Sequence, residues 1–316
     1  MLLHHTLIIP DEYANVRLDQ ALAKLMPDYS RTQIQVWIEA GDLLVNNRAV
    51  KAKHKVKGGE QIVIHTTLEP AVISIAQPIP LNIIHEDDAI IIINKSIGMV
   101  VHPGAGNADH TLLNALLHHA PALQQLPRAG ILHRLDKNTS GLLVIAKTAN
   151  ALKNLSLQLK KHELQREYQA IVYGKMISGG KVDAPIDRHP VQRKRMAVVE
   201  TGKTAVTHYR VAEKYRAHTR LTIQLETGRT HQIRVHMAHI HHPVVGDSVY
   251  GGRLRLTKKM TPALIDMLRQ FKRQALHAFA LGLTHPITQQ WVRYEAPLPE
   301  DMQQLIAVLK ADAMEK

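Results

Sequence analysis

Residues 129–148 read AGILHRLDKNTSGLLVIAKT. An apolar run leads into His133-Arg134-Leu135-Asp136, the polar turn Lys137-Asn138-Thr139-Ser140-Gly141 follows, and a strongly apolar strand leaves it. On either side lie further β-rich runs. They are LNIIHEDDAIIIINK at 81–95, REYQAIVYG at 166–174, KTAVTHYRVAEKY at 203–215, HTRLTIQLETG at 218–228, QALHAFALGLTHP at 274–286 and WVRYEAPLP at 291–299. Helical spacing is expected over 110–120, 149–161, 229–240, 262–271 and 299–312. Strands outnumber helices and do not alternate strictly with them. The pattern therefore predicts an α+β domain on a mostly antiparallel sheet and not a doubly wound one.

The N-terminal part reads differently. Leu18, Ala21, Leu22 and Leu25 fall at i, i+3, i+4 and i+7, one face of a short helix that Pro27 ends. Ser30-Arg31-Thr32-Gln33 has the form of a capping box, after which Ile34, Trp37 and Ile38 carry a second apolar stripe to Gly41. DLLVNNRAV reads as strand, turn, strand. KHKVKGGEQIVIH reads as a basic hairpin turning at Gly58-Gly59 and closing through Ile62, Val63 and Ile64. Arg31, Arg48, Lys51, Lys53, Lys55 and Lys57 cluster in this small α/β unit, which fits either an RNA-reading module or a solvated basic face. Residues 66–80, TTLEPAVISIAQPIP, hold three prolines and no lysine or arginine, and the domain boundary is expected there. The expected division is a basic domain over 15–68, a linker over 69–80 and a larger domain over 81–316.

Composition narrows the function. The 316 residues carry 40 Lys and Arg against 27 Asp and Glu, a formal +13 that points to a polyanionic partner. There is no cysteine, which excludes disulfides, cysteine-ligated zinc, iron–sulfur clusters and thiolate mechanisms. Two Phe, two Trp and eight Tyr argue against a binder that relies on many stacking rings. No apolar run approaches the ~20 residues of a membrane helix, and MLLHHTLIIPDEY lacks a basic region followed by an apolar one. A soluble, non-exported, cytoplasmic chain is expected. Among the 21 histidines, His236, His239, His241 and His242, with Asp247, suggest a metal site, but no HExxH is present and the four straddle a helix end.

Asp136, a carboxylate flanked by basic residues on a turn beside a buried strand, is a candidate for an ionised, positioned group. The same pattern fits an Asp that caps the turn by bonding its own backbone. Spacing alone does not choose between them.

HRLDKNTSG resembles the signature of the RluA-type pseudouridine synthases, in which the Asp of HRLD is catalytic. NKSIGMVVHPGAGN at 94–107, REYQAIVYG, ETGRTHQIRVHMAHIHHPVVGDSVYGG at 226–252 and RQALHAFALGLTHP at 273–286 agree with the same family. The N-terminal unit, with SRTQIQVWIEAGDLLVNN, resembles the S4 RNA-binding domain in the place this family keeps it. VVHPGAGN, PRAGILHRLDK, APIDRHP and KTAVTHYRV bring the chain nearest to a branch that acts on large-subunit ribosomal RNA. Ser248 and Ser96 depart from the proline common at those positions, which touches loop stiffness only.

The resemblance implies a pseudouridine synthase fold, isomerisation of uridine without cofactor or metal, and a 23S rRNA substrate in the large subunit or its assembly intermediate, at the helix 69 stem-loop. It implies Asp136 as nucleophile or base, Arg234 as its ion-pair partner and Tyr168 against the flipped uracil. Arg134, His133 and Arg229, with Arg31, Lys53 and Lys55 of the S4-like unit, are then expected to contact RNA. The alternatives are a helix arginine on an RNA phosphate for Arg234 and, for a tyrosine in an alternating strand such as Tyr168, the more usual role of core packing. No membrane contact, no small-molecule cofactor and a monomer are expected. A non-catalytic ribosome-assembly factor would share the charge and the S4-like unit without needing Asp136, Tyr168 and Arg234 together, and a histidine-metal hydrolase would need bound metal.

Overall fold

The computed structural model describes residues 2–27, 29–67, 75–104, 106–193, 195–257 and 259–315. Chain contacts divide it into two compact units, Met1–Ile73 and Ser74–Lys316.

In the first unit the elements run β1 (Leu2–Ile8), α1 (Leu18–Leu25), α2 (Arg31–Ala40), β2 (Leu43–Val45) and β3 (Gln61–Thr67). The α1 stripe buries Leu18, Ala21 and Leu22 against Ile34, Trp37 and Ile38 of α2 and against Ile62 and Ile64 of β3. The Ser30 hydroxyl accepts the Gln33 N–H at 3.2 Å, the forward half of the capping box. Gly41 ends α2 in the left-handed conformation, φ +81°.

The basic hairpin expected over 53–65 does not form. β3 is the middle strand of an antiparallel sheet in the order β1-β3-β2, with Ile64 opposite His5 and Leu43. Its main partner is the N-terminal LLHHTLI, whose paired histidines conceal a strand, while Lys55 makes only a bridge to Arg17. The strand expected after Asn46-Asn47 is likewise a single bridge between Val45 and Arg48. Because β1 belongs to this sheet, the unit starts earlier than residue 15.

The second unit runs β4 (Ile83–Glu86), β5 (Ile90–Lys95), α3 (Leu112–His119), β6 (Ser140–Ala146), α4 (Ala149–Lys160), β7 (Gln165–Tyr173), β8 (Gly180–Asp183), β9 (Ile186–Arg188), β10 (Met196–Val198), β11 (Val206–Lys214), β12 (His218–Leu225), α5 (Gln232–His239), α6 (Pro262–Gln270), β13 (Leu276–Thr284), β14 (Trp291–Glu295) and α7 (Glu300–Met314). A nine-stranded sheet has the order β4-β5-β6-β13-β7-β12-β11-β8. β14 shares the β6 edge of β13, pairing at 280–284 beyond the 277–278 stretch that meets β6. Only the β6–β13 pairing is parallel; β9 and β10 form a separate antiparallel ribbon. This is the mostly antiparallel α+β arrangement expected. The short strands β8 to β10, which lie outside the longer apolar runs, are additions to it.

The four isoleucines of β5 are all buried. Ile91 and Ile93 pack with Leu112 and Leu116 of α3, while Ile90 and Ile92 pack with Ala151 and Leu155 of α4. Helices on both faces explain why the strand has no polar alternation, and each isoleucine contributes roughly 1.5–3 kcal/mol of transfer free energy.

Of the stretch expected as a linker, residues 68–74 lie outside the described residues. Residues 75–77 are tied to the second unit: Asn114 Nδ2 donates to the Ile75 carbonyl at 2.8 Å, and the Gln77 N–H donates to the Asn114 carbonyl at 3.0 Å.

Candidate active site

The polar turn found in the sequence is fastened from three sides. Lys95, at the end of β5 and only 1% exposed, donates to the carbonyls of Ser96 (2.8 Å), Met99 (3.0 Å) and Lys137 (3.1 Å). Burial pushes its ammonium down to about 7, and the negative charge of Asp136 opposes that shift. Gln274 Nε2 donates to Thr139 Oγ at 2.9 Å, and Ser140 Oγ meets His277 Nδ1 at 2.9 Å. Gly141 then brings β6 against β13. Its φ is +114°, and a Cβ there would collide with the Ala278 backbone, so only glycine fits.

The opposite wall is α5. Every residue from Gln232 to Met237 is buried, so this part of the helix has no solvated face, and its polar side chains are matched one by one. Gln232 accepts from Thr227 Oγ (2.8 Å) and the Arg229 N–H (2.9 Å) and donates to the Val206 carbonyl (2.9 Å). It thereby fixes the Thr227-to-Arg229 loop to β11. His236 lies between Thr207 Oγ (2.8 Å) and the Ala184 carbonyl (2.9 Å).

Arg234 projects from α5 to two carboxylates. Nε and Nη2 form a fork on Asp247 at 2.7 and 2.9 Å, and Nη1 reaches Asp136 Oδ2 at 2.9 Å. Burial alone would raise the Asp247 carboxyl. The Arg234 hydrogen bonds and charge, helped by the N–H groups of Tyr250 (3.0 Å) and Val249 (2.9 Å), hold it below the ordinary range. Burial disfavours the Arg234 cation, but its two anionic partners more than compensate and raise its pKa. Asp136 is therefore held by a cation that a second, more deeply buried anion locks in place. Its side chain is 17% exposed to the cleft. Among the described residues no backbone N–H donates to its carboxylate, which sets aside the turn-capping reading.

A cleft of about 950 Å³ opens between these walls, and Asp136, Tyr168, Arg234, Arg134, His133 and Arg229 all line it. Tyr168, on β7 opposite Ile223 and Ala278, is 6% exposed; burial raises its hydroxyl pKa, and Arg166 opposes that while Asp136 adds to it. Arg134 is exposed. Arg229 is exposed too, and its Nε donates to the Thr204 carbonyl at 3.0 Å. His133 is tied back to the strand, its Nε2 accepting the Val144 N–H at 3.4 Å.

Arg31, Lys53 and Lys55 lie in the first unit. Lys53 and Lys55 are exposed and form no ion pair among the described residues. Arg31 instead spends its guanidinium on Asp19, at 2.9 and 2.7 Å. Asp19 is wholly buried and also held by Arg17 (3.0 Å) and Gln35 (2.5 Å). Burial would raise Asp19, and these donors overcome it and lower its pKa.

The histidines that suggested a metal are dispersed. His236 is engaged as above, His242 Nδ1 meets the Tyr173 carbonyl at 2.8 Å, and His239 and His241 are exposed. No group of three or more His, Asp or Glu side chains is placed to hold a metal ion among the described residues. Asp247, counted with them in the sequence, is the clamp on Arg234. The motif-internal residues that sequence reasoning passed over are Lys95, His231 and Tyr250. Lys95 lies in NKSIG, His231 in GRTHQIR and Tyr250 in GDSVYGG, so the signal was their place inside motifs read only for their better-known members. No helix is long and apolar enough to cross a membrane among the described residues.

The chain matches known proteins along most of its length. Residues 89–239 match the RNA pseudouridylate synthase family model, and residues 16–62 match the S4 domain. "Ribosomal large subunit pseudouridine synthase D" of Escherichia coli (strain K12) is 54% identical over 308 residues, 97% of this chain and 94% of that protein. The protein of the same name from Haemophilus ducreyi is 56% identical over 297 residues, 94% of this chain and 91% of the relative. Among solved structures, human RNA pseudouridylate synthase domain containing 4 has a TM-score of 0.57 at 26% identity, covering 72% of this chain and 93% of its own.

Proposed function

Because the chain belongs to the RNA pseudouridylate synthases, and among them to the RluA type, we propose that it isomerises uridines of large-subunit ribosomal RNA to pseudouridine with Asp136 as the catalytic carboxylate. The targets are the uridines of the helix 69 stem-loop in 23S rRNA, reached on the large subunit or its assembly intermediate. The enzyme works in the cytoplasm as a monomer, without cofactor or metal.

One observation carries the reading. Asp136 stands at the edge of a cleft large enough for a nucleotide, ion-paired to an arginine that is itself fixed by a buried aspartate. The chemistry breaks the N1–C1′ bond of uridine, turns the uracil and joins C5 to C1′. C5 gives up its proton and N1 gains one, so composition is unchanged. A carboxylate can serve by attacking the ribose, attacking the ring, or taking a ribose proton to give a glycal. Each route needs it ionised in a site from which RNA excludes water, and Arg234 supplies the opposing charge. The target nucleotide leaves its stack at a cost of a few kcal/mol, and Arg134 at the rim holds the flipped nucleotide or fills its place. Tyr168 lies against the uracil. The exposed lysines of the S4 unit and the cleft arginines hold the phosphates, so the shape of the RNA positions a single base.

The test is Asp136→Asn. The purified variant should form no pseudouridine on rRNA transcripts that the parent modifies, while binding them comparably. Equal product from both would leave an RNA-binding assembly factor as the better account.

A further inference from the structure

Arg234 occupies only Oδ2 of Asp136. The other oxygen, Oδ1, lies 3.8 Å from His231 Nε2 in the cleft wall. His231 is an unusual residue in its own backbone. It is the N-cap of α5, yet its side chain makes no capping hydrogen bond, and it adopts the left-handed conformation, φ +58° and ψ +17°. That region is sparsely populated by residues other than glycine, and such strain concentrates at functional sites. Here it turns the imidazole away from the helix end and into the cleft, where the ring is half-buried.

The far side of the ring is also fixed. Nδ1 lies 2.8 Å from the hydroxyl of Tyr250, and that hydroxyl oxygen accepts the Met196 N–H at 2.9 Å. Since the Tyr250 oxygen already takes one hydrogen from Met196, we assign its O–H as the donor to Nδ1. The neutral imidazole then carries its proton on Nε2, the nitrogen that faces Asp136. The charged groups around the ring are Asp136, Asp247, Arg234 and Arg134, and Arg195 lies over the Tyr250 ring at 5.2 Å. Burial dominates and keeps the imidazole neutral, which suits a donor and not an acid.

We propose that His231 is a positioning residue for Asp136: its Nε2–H holds Oδ1, the oxygen that Arg234 leaves free, and Tyr250 sets the tautomer that makes this possible. The proposal deepens the reading of Asp136 and rests on it. At 3.8 Å the contact is longer than a hydrogen bond, and a movement of under about 1 Å brings it within range. Two donors from one helix, Arg234 within α5 and His231 at its start, then fix both oxygens of the carboxylate and so its rotation. One registry of the α5 N-terminus aims both.

The experiment compares His231→Leu, His231→Gln and Tyr250→Phe with the parent and with Asp136→Asn. It measures tritium released from C5-labelled uridine in an rRNA transcript, along with RNA affinity and thermal midpoint. The leucine variant, which has no donor, should lose roughly 10- to 100-fold in kcat with KM and RNA affinity within about 2-fold. The glutamine variant keeps an N–H donor and should recover most of that loss. Tyr250→Phe, which removes one hydroxyl, should lower kcat several-fold without changing KM. The acid limb of the kcat profile should move to higher pH in the leucine variant and stay in place in the glutamine variant. An unchanged kcat in the leucine variant, or a rise in KM alone, overturns the proposal. If the histidine variants do not fold, Tyr250→Phe with parental kcat overturns it equally. An active Asp136→Asn defeats the reading of Asp136 itself, whereas an inactive one beside a fully active His231→Leu defeats this inference alone.

Discussion

Arg234 Nη1 lies 2.9 Å from Asp136 Oδ2, and the remaining two nitrogens of the same guanidinium are taken by a different, fully buried carboxylate. A three-member chain, Asp247 to Arg234 to Asp136, thus runs from the core to the cleft. The inner pair fixes the arginine and so leaves a single direction for the outer contact. A charge held in this way faces Asp136 from a fixed position rather than on a mobile side chain.

Arg234→Lys tests the fork. A lysine retains the charge but cannot bond both oxygens of Asp247 and one of Asp136 together. The expected result is a folded protein with kcat reduced by about 100-fold. Asp247→Ala removes the buried anion and leaves Arg234 partly unmatched, at a cost of about 3–5 kcal/mol, visible as a drop of roughly 10 °C in thermal midpoint. A lysine variant with parental kcat would show that geometry at this contact is unimportant.

Stability should fall between pH 6.5 and 4. Burial pushes His218 and His277 each down to about 4 in the folded chain. His218 is wholly buried, and neither ring nitrogen has a partner among the described residues. An unfolded histidine binds its proton below about 6.5, whereas these bind theirs only near 4, so the unfolded state gains protons first and stability declines through that window. Each contributes up to roughly 3 kcal/mol. Asp87, held at about 2 by hydrogen bonds from His85, Ile90 and Ala89 against the opposing effect of burial, adds a further loss below pH 4. Urea unfolding at pH 7, 5.5 and 4.5 should give falling free energies; a flat series would contradict the buried, neutral histidines.

The basic residues of the S4 unit separate into two kinds. Lys53→Ala and Lys55→Ala should each weaken RNA binding and reduce the slope of log affinity against log salt by about 1, with no change in thermal midpoint. Arg31→Ala should instead destabilise the unit by about 1–3 kcal/mol, because it strips two hydrogen bonds from the buried Asp19; half-exposure of Arg31 moderates the loss. Loss of affinity with an unchanged midpoint would place Arg31 on RNA.

The long apolar strands and the five later helices were legible because each is a sustained run of one period. β1 was not, because two adjacent histidines in LLHHTLI break the alternation, and only its partner β3 reveals it. The same sheet explains why the lysine-rich stretch before Gly58-Gly59 stays out of a hairpin: both edges of β3 are already occupied. At the site, HRLD pointed to Asp136, but spacing could not distinguish a positioned carboxylate from a turn cap. That distinction depends on Arg234, 98 residues further on. Asp247 drew attention as a metal ligand because it follows four histidines, and its actual role appears only where α5 turns Arg234 towards it. His231 was hidden for a similar reason: its function depends on a backbone conformation that the letters THQIR do not display.

The central claim, that Asp136 isomerises uridine in large-subunit rRNA, is most directly tested by mapping pseudouridine chemically in rRNA from cells with this protein, without it, and with Asp136→Asn in its place. Pseudouridine is expected in the helix 69 stem-loop only when the parent protein is present, with its loss in both other strains. Unmodified sites in all three strains, or full modification in the Asp136→Asn strain, would contradict it.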